Sequence, residues 1–149
     1  MHEPGRWTAI TLVTLVLHFA WEMAQANLFE SMQSMPFWKA TAICARATAG
    51  DLVITAIAFS AAAIAGGLHW PLILRRFGPG LIFLTAGILL TIGYEIYALS
   101  AGRWAYDERM PVIFGIGLTP LLQWIVIPPL EIAAFRLIWR GATIDKRLP

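Results

Sequence analysis

The segment from Gly80 to Ser100 reads GLIFLTAGILLTIGYEIYALS, an apolar run with one charged residue, Glu95, in its last third. About 20 largely apolar residues are what an α-helix needs to cross the hydrocarbon core of a bilayer. Three further segments share this character. They run from about Trp7 to Leu28, from about Ala42 to Leu68 and from about Val112 to Trp139, and carry Glu22, Asp51 and Glu131 as their only acids. The sequence therefore predicts an all-α integral membrane protein, a single domain built as a four-transmembrane-helix bundle. Pro120, Pro128 and Pro129 fall in the last segment. They remove backbone donors and are expected to kink it. The connections, Ser31 to Lys39, His69 to Pro79 and Ala101 to Pro111, are too short for a separate soluble domain.

Composition agrees with a membrane protein. The chain is 58% hydrophobic and 13% charged, with a mean hydropathy of +0.68, whereas a soluble domain of this size carries a more polar surface. The formal net charge of +2 is spread over ends and loops without a long basic run, which argues against nucleic acid as a partner. A single cysteine, Cys44, excludes an internal disulfide. Trp7, Trp38, Trp70, Trp104 and Trp139 lie near segment ends, where the amphipathic indole suits a membrane interface.

Four spans place the N-terminus, the second connection and the C-terminus on one side. That side holds Arg6, Arg75, Arg76, Arg136, Arg140, Lys146 and Arg147, against Lys39, Arg46, Arg103 and Arg109 on the other. Seven cations against four predict an inner (plasma) membrane protein with both termini in the cytoplasm. Ala24-Gln25-Ala26 has the small-x-small form of a signal cleavage site, but His18, Trp21 and Glu22 interrupt the apolar run before it. Trp21-Glu22 and Tyr94-Glu95 echo each other faintly, as a repeat of helix pairs would.

A carboxylate at the centre of a lone helix costs on the order of a few kcal/mol, so such residues face a bundle interior. His18 and Glu22 are four apart and share one helix face. The pair can share a proton, bind a metal or simply satisfy each other, and Gln25 and Asn27 extend the polar character outward. Asp51 has Thr55 one turn deeper, and Arg46 is near enough to pair with Asp51 or Glu22 or to snorkel outward. Glu95 follows Tyr94 and lies one turn beyond Thr91, with Tyr97 close by. Glu22, Asp51 and Glu95 are expected to share one layer, with Gln123 and Trp124 of the last helix at similar depth. Glu131 is expected deeper, as a structural partner of Arg136. The charged and aromatic stretch Gly102–Pro111 suits either a cap over a cavity or an interfacial loop. Met23, Met32, Met35, Met110 and Cys44 form no CxxC or HxxH constellation, and methionines commonly fill packing gaps. No metal site and no cofactor are expected.

In spacing and order these positions resemble the EXPERA-like family, which includes a sterol Δ8-Δ7 isomerase and the sigma-2 receptor. His18-x-x-x-Glu22 looks like the family's His-x-x-x-acid, and Asp51-x-x-x-Thr55 like its acid-x-x-x-Thr. Tyr94-Glu95-Ile96-Tyr97 is similar to its tyrosine-bearing third helix, and Trp124-x-x-x-Pro128 to its Trp-x-x-x-Pro. The first connection is shorter than in the isomerase, and Pro120 and Leu121 stand where the family has an asparagine before the tryptophan. Gly102-x-Trp104-x-Tyr106 instead resembles stretches of small carotenoid-cyclase membrane proteins.

The resemblance implies a bundle enclosing a lipid-sized cavity, in which an acid protonates an alkene while a second group removes another proton. By position, His18 and Glu22 would form the shuttle, Asp51 the second acid and Glu95 a relay. Trp21, Gln25, Thr55, Thr91, Tyr94, Gln123 and Trp124 would line the ligand, with the Trp124 face stabilising a carbocation. The leading expectation is an isomerase or cyclase of an apolar isoprenoid or sterol-like lipid. Its rivals are a non-catalytic lipid or small-amine binder, a proton- or metal-coupled transporter, and a packing subunit. Expected partners are a membrane lipid or hydrophobic small molecule, with a homodimer allowed.

Overall fold

The computed structural model describes residues 3–66 and 77–145. Helix α1 spans Glu3–Gln25 and ends in a 3-10 turn at Ala26–Leu28. The short α2, Glu30–Gln33, leads to α3, Phe37–Ala65. Helix α4 covers Phe77–Ser100 and α5 covers Leu118–Asp145. Strands β1, Val112–Ile113, and β2, Ile116–Gly117, pair antiparallel between α4 and α5. Helices α1, α3, α4 and α5 are each long and apolar enough to cross a membrane. The chain is an all-α integral membrane protein of four long helices.

The helices close a ring: α1 packs on α3, α3 on α4, α4 on α5 and α5 back on α1. Their outward faces carry Leu12, Val16, Val53, Ile57, Leu89 and Ile125, as lipid-facing surfaces do. Ala58, Ala62 and Ala63 of α3 are fully buried, which lets α4 bring Phe83 into the core beside Trp124 of α5. Five aromatic rings continue this packing toward the start of α1. Trp124 meets Phe83 at 5.9 Å, Phe83 meets Phe59 at 6.4 Å, and Phe59 stacks on Phe135 at 5.6 Å. Trp7 closes the column at 6.4 Å from Phe59 and 6.3 Å from Phe135.

Helix ends differ from expectation where local chemistry competes with hydropathy. The fourth span starts at Leu118, because Val112–Gly117 forms a hairpin instead. Phe114 and Gly115 take φ of 50° and 79° at its tip, the positive values that a two-residue hairpin turn requires. Phe114 pays for this with backbone strain and projects fully into the surroundings. Pro120 then occupies the first turn of α5, where no backbone donor is needed. The helix continues unbroken through Pro128 and Pro129. Helix α3 begins earlier than expected, directly after Pro36 at its N-cap. The expected connection through His69, with Trp70, Arg75 and Arg76, lies outside the described residues, as do Lys146 and Arg147 and the side chains of Trp139 and Arg140.

The two loops at one end of the bundle are sewn together as a cap. Glu30 N donates to Ala105 O at 3.1 Å and Asp107 N to Leu28 O at 2.9 Å, around a bridge between Phe29 and Tyr106. Arg109 Nη2 donates to Asn27 O at 3.0 Å, and the Gln33 amide donates to Asp107. Arg109 Nε also meets Asp107 Oδ1 at 2.5 Å.

Gly87 is the close-approach point between α4 and α5. A Cβ there would sit 2.1 Å from Trp124 Cζ3, an overlap that the buried indole or the helices must shift to relieve. Gly87→Ala is expected to destabilise the bundle by about 1–3 kcal/mol, read as unfolding in mixed micelles. Gly93→Ala, which adds a Cβ in open space, is the control and should stay close to the parent.

Candidate functional site

The helical face of α5 that points inward carries Pro120, Gln123, Trp124, Ile127, Pro128 and Glu131, all buried. Their spacing of three and four is the ordinary interior stripe of a helix. Helix α1 presents Thr14, His18 and Gln25 as buried polar side chains, and α4 presents Thr91 and Glu95. Helix α3 adds Cys44 and Thr48, both buried, and Asp51 and Thr55, partly so. Polar residues from all four long helices therefore meet between the aromatic column and the cap.

His18 is the centre of this layer and is only 1% exposed. Its Nδ1 lies 3.5 Å from Asp51 Oδ2 and its Nε2 lies 3.5 Å from Glu131 Oε1. Thr55 Oγ1 is 3.4 Å from Nε2. The Gln123 amide nitrogen donates to Asp51 Oδ2 at 2.9 Å and stands 2.7 Å from His18 Nδ1. With Nδ1 accepting from that amide, the imidazole proton sits on Nε2, toward Glu131. If the amide turns its oxygen to Nδ1, the imidazole can carry protons on both nitrogens. That turn would give up the amide's bond to Asp51 Oδ2. The Trp124 ring lies 6.4 Å away, beneath the same imidazole.

A second acidic group lies toward the cap. Gln25 Nε2 donates to Glu22 Oε1 at 2.7 Å, and Cys44 Sγ donates to Glu22 O at 3.6 Å. The Tyr106 hydroxyl and, at 3.4 Å, Trp104 Nε1 both donate to Glu95 Oε2. Glu22 is within electrostatic range of His18, Asp51 and Glu95, and Glu95 within range of Asp51. Among the described residues no hydrogen bond links these acids to one another: Glu22 bonds Gln25, Asp51 bonds Gln123, and Glu95 bonds Tyr106 and Trp104. In the cap, burial and the Glu95 carboxyl hold the Tyr106 phenol above its ordinary pKa, so it stays a donor. The Arg109 side chain holds the surface carboxyl of Asp107 below its ordinary value.

Several expectations need correction. Glu131 is no partner of Arg136. It is 2% exposed against His18, while Arg136 is exposed on the outside of α5. Arg46 takes the outward of its two expected placements: it is exposed, and among the described residues it forms no ion pair with Asp51 or Glu22. His18 does not pair directly with Glu22, because its ring turns to the acids of α3 and α5. Tyr94 does not line the interior. It is 45% exposed and packs on Trp104 and Tyr97 at 5.7 and 6.2 Å. Trp21 is partly buried.

Sequence reasoning missed Glu131, Trp104 and Tyr106. Glu131 was detectable as the residue two turns beyond Gln123 and Trp124 on one helix face. Nothing local announces the pairing of Tyr106 with Glu95, which depends on how the cap folds back. Among the described residues no group of three His, Cys, Asp or Glu side chains has the arrangement of a metal site. No protein-family model, curated protein or solved structure matches the chain.

Two outcomes follow. His18→Ala and Glu131→Ala should each destabilise the fold, and their effects should be non-additive by about 0.5–3 kcal/mol in a double-mutant cycle. Arg136→Ala should stay within about 0.5 kcal/mol of the parent. The Asp107–Arg109 pair has a depressed acid pKa, so its contribution is present above the ordinary Asp value near 4 and fades as pH falls through the folded value. The protection factors of amides in residues 26–36 and 103–117, corrected for the intrinsic pH dependence of exchange, should therefore fall on acidification, and Asp107→Asn should blunt that response.

Proposed function

We propose that this chain is an intramembrane isomerase or cyclase that acts by proton transfer on an apolar isoprenoid or sterol-like lipid. One observation carries the reading: a buried imidazole has a carboxyl group against each of its two nitrogens, at 3.5 Å and from different helices. A double-bond shift needs this kind of relay. One acid protonates an alkene carbon, and a base removes a proton from another carbon as the new double bond forms. The lipid's proton count is unchanged, but the enzyme's proton has moved from donor to acceptor. An imidazole that takes a proton at one nitrogen and gives it up at the other restores the starting state.

In this scheme Glu22 and Asp51 are the acids that face the lipid, His18 is the shuttle and Glu131 its second terminus. Trp124 offers an aromatic face to a transient carbocation. The order of polar positions that resembles the EXPERA-like family supports the same assignment. The excess of cations on the terminal side supports an inner-membrane location with both termini in the cytoplasm.

A second reading is a non-catalytic binder of a lipid or a small amine. Both Glu131 carboxyl oxygens are buried without a hydrogen-bond partner, and an ammonium group would supply donors to them.

Lipid extracts of cells with and without the protein, compared by mass spectrometry, separate the two. The enzyme reading expects a lipid alkene to change its double-bond position or ring count, with one deuteron gained from heavy water. Glu22→Gln should abolish that conversion, and His18→Gln should slow it by about 10²–10⁴-fold, with folding intact in both. An unchanged lipid profile together with saturable amine binding supports the binder instead.

A further inference from the structure

We propose that Tyr106, Glu95 and Glu22 form a one-ended proton path, connecting water at the capped end of the bundle to Asp51 and His18, with the opposite end sealed. The path builds on the proton-transfer reading of the site, but it can be measured without any lipid substrate.

The capped end supplies the contacts. Tyr106 belongs to the loop that folds over the bundle, and its hydroxyl donates to Glu95 Oε2. Glu95 is buried on α4, which packs against the α3 helix that carries Asp51, and Glu22 bonds Gln25 one turn from His18 on α1. Gln25 Oε1 and Thr91 Oγ1 sit in the same layer, each more than nine-tenths buried and without a hydrogen-bond partner. Polar groups of this kind give a bridging water the two to four partners it requires. The titratable groups that face the path are His18 and Glu22 on α1, Cys44 and Asp51 on α3, Glu95 on α4, Glu131 on α5 and Tyr106 in the cap. Each hop moves one proton between two of these groups or a water. The phenol gives its proton to Glu95 only as it takes another from the solvent side, so no phenolate forms.

Toward the opposite end the described interior is mainly aromatic. Below His18 the bundle is filled by Trp124, Phe83, Phe59, Phe135 and Trp7, with ring centroids 5.6–6.4 Å apart. Ala58, Ala62 and Ala63 seal the α3 side of this column. Arg6 and Arg136 are next in sequence to Trp7 and Phe135, at the far end of the rings. A proton that enters from the cap reaches His18 and Glu131 and finds no further carrier among these rings.

The test is the rate at which the His18 imidazole exchanges its proton with water, followed by nitrogen-15 NMR of the intact protein in micelles. The chain has three histidines, and the spectrum of His18→Gln assigns the relevant signal. Glu95→Gln keeps an oxygen to accept from Tyr106 and Trp104, so it removes the titrating group while leaving the cap bonded. Tyr106→Phe removes the entry hydroxyl, and thermal unfolding of both variants checks that the bundle is intact. Exchange at least tenfold slower in both variants supports the path. Parent-like exchange in both overturns it. In proteoliposomes under a pH gradient the parent should carry no sustained proton current, and a current that Glu95→Gln abolishes would overturn the sealed end. Loss of lipid conversion with normal exchange control would fault the enzymatic reading and leave the path standing.

Discussion

A charged side chain in hydrocarbon must find a partner, shed its charge or reach water. That constraint organises the interior of this bundle. His18 stands between two acids, with Asp51 and Glu131 each 3.5 Å from one of its ring nitrogens. The contact ties α1 to α3 and to α5. Gln123 closes the arrangement by bonding Asp51 while facing the ring. Breaking such a buried set leaves an uncompensated group in a low-dielectric site, which is more costly than any single contact in it is stabilising.

The remaining architecture divides around this layer. On one side, rings and alanines fill most of the interior, and the approach of α5 to α4 depends on Gly87 leaving room for the Trp124 indole. On the other side, Glu22, Gln25, Thr91 and Glu95 keep the interior polar up to the cap. The cap is more than a connection. Backbone bonds from both loops hold Tyr106 in place, and its hydroxyl reaches into the bundle.

Much of this was legible because helix periodicity and hydropathy act locally. Four apolar runs of spanning length report four long helices. His18, Asp51, Thr55 and Gln123 could be nominated because polar residues inside such runs face inward. The failures share one origin. Nearness in sequence suggests that Glu131 pairs with Arg136, yet residues five apart along a helix point in different directions. The phenol of Tyr94 and the family resemblance suggest a place in the ligand lining, yet Tyr94 and the buried Glu95 are adjacent on a helix and so face about 100° apart. Val112–Gly117 was read as helix because it is apolar, whereas its two glycines and β-branched residues suit a tight hairpin.

By itself the sequence determined the number of spans, their approximate ends and the presence of acids within them, because each follows from residues near one another along the chain. Only the tertiary structure decided which acid meets which base. Whether Glu131 faces Arg136 or His18, and whether Tyr106 reaches Glu95, depends on the rotation of each helix about its own axis and on the folding of the cap. Both are set by packing between segments far apart in sequence, as with the fit of Trp124 against Gly87.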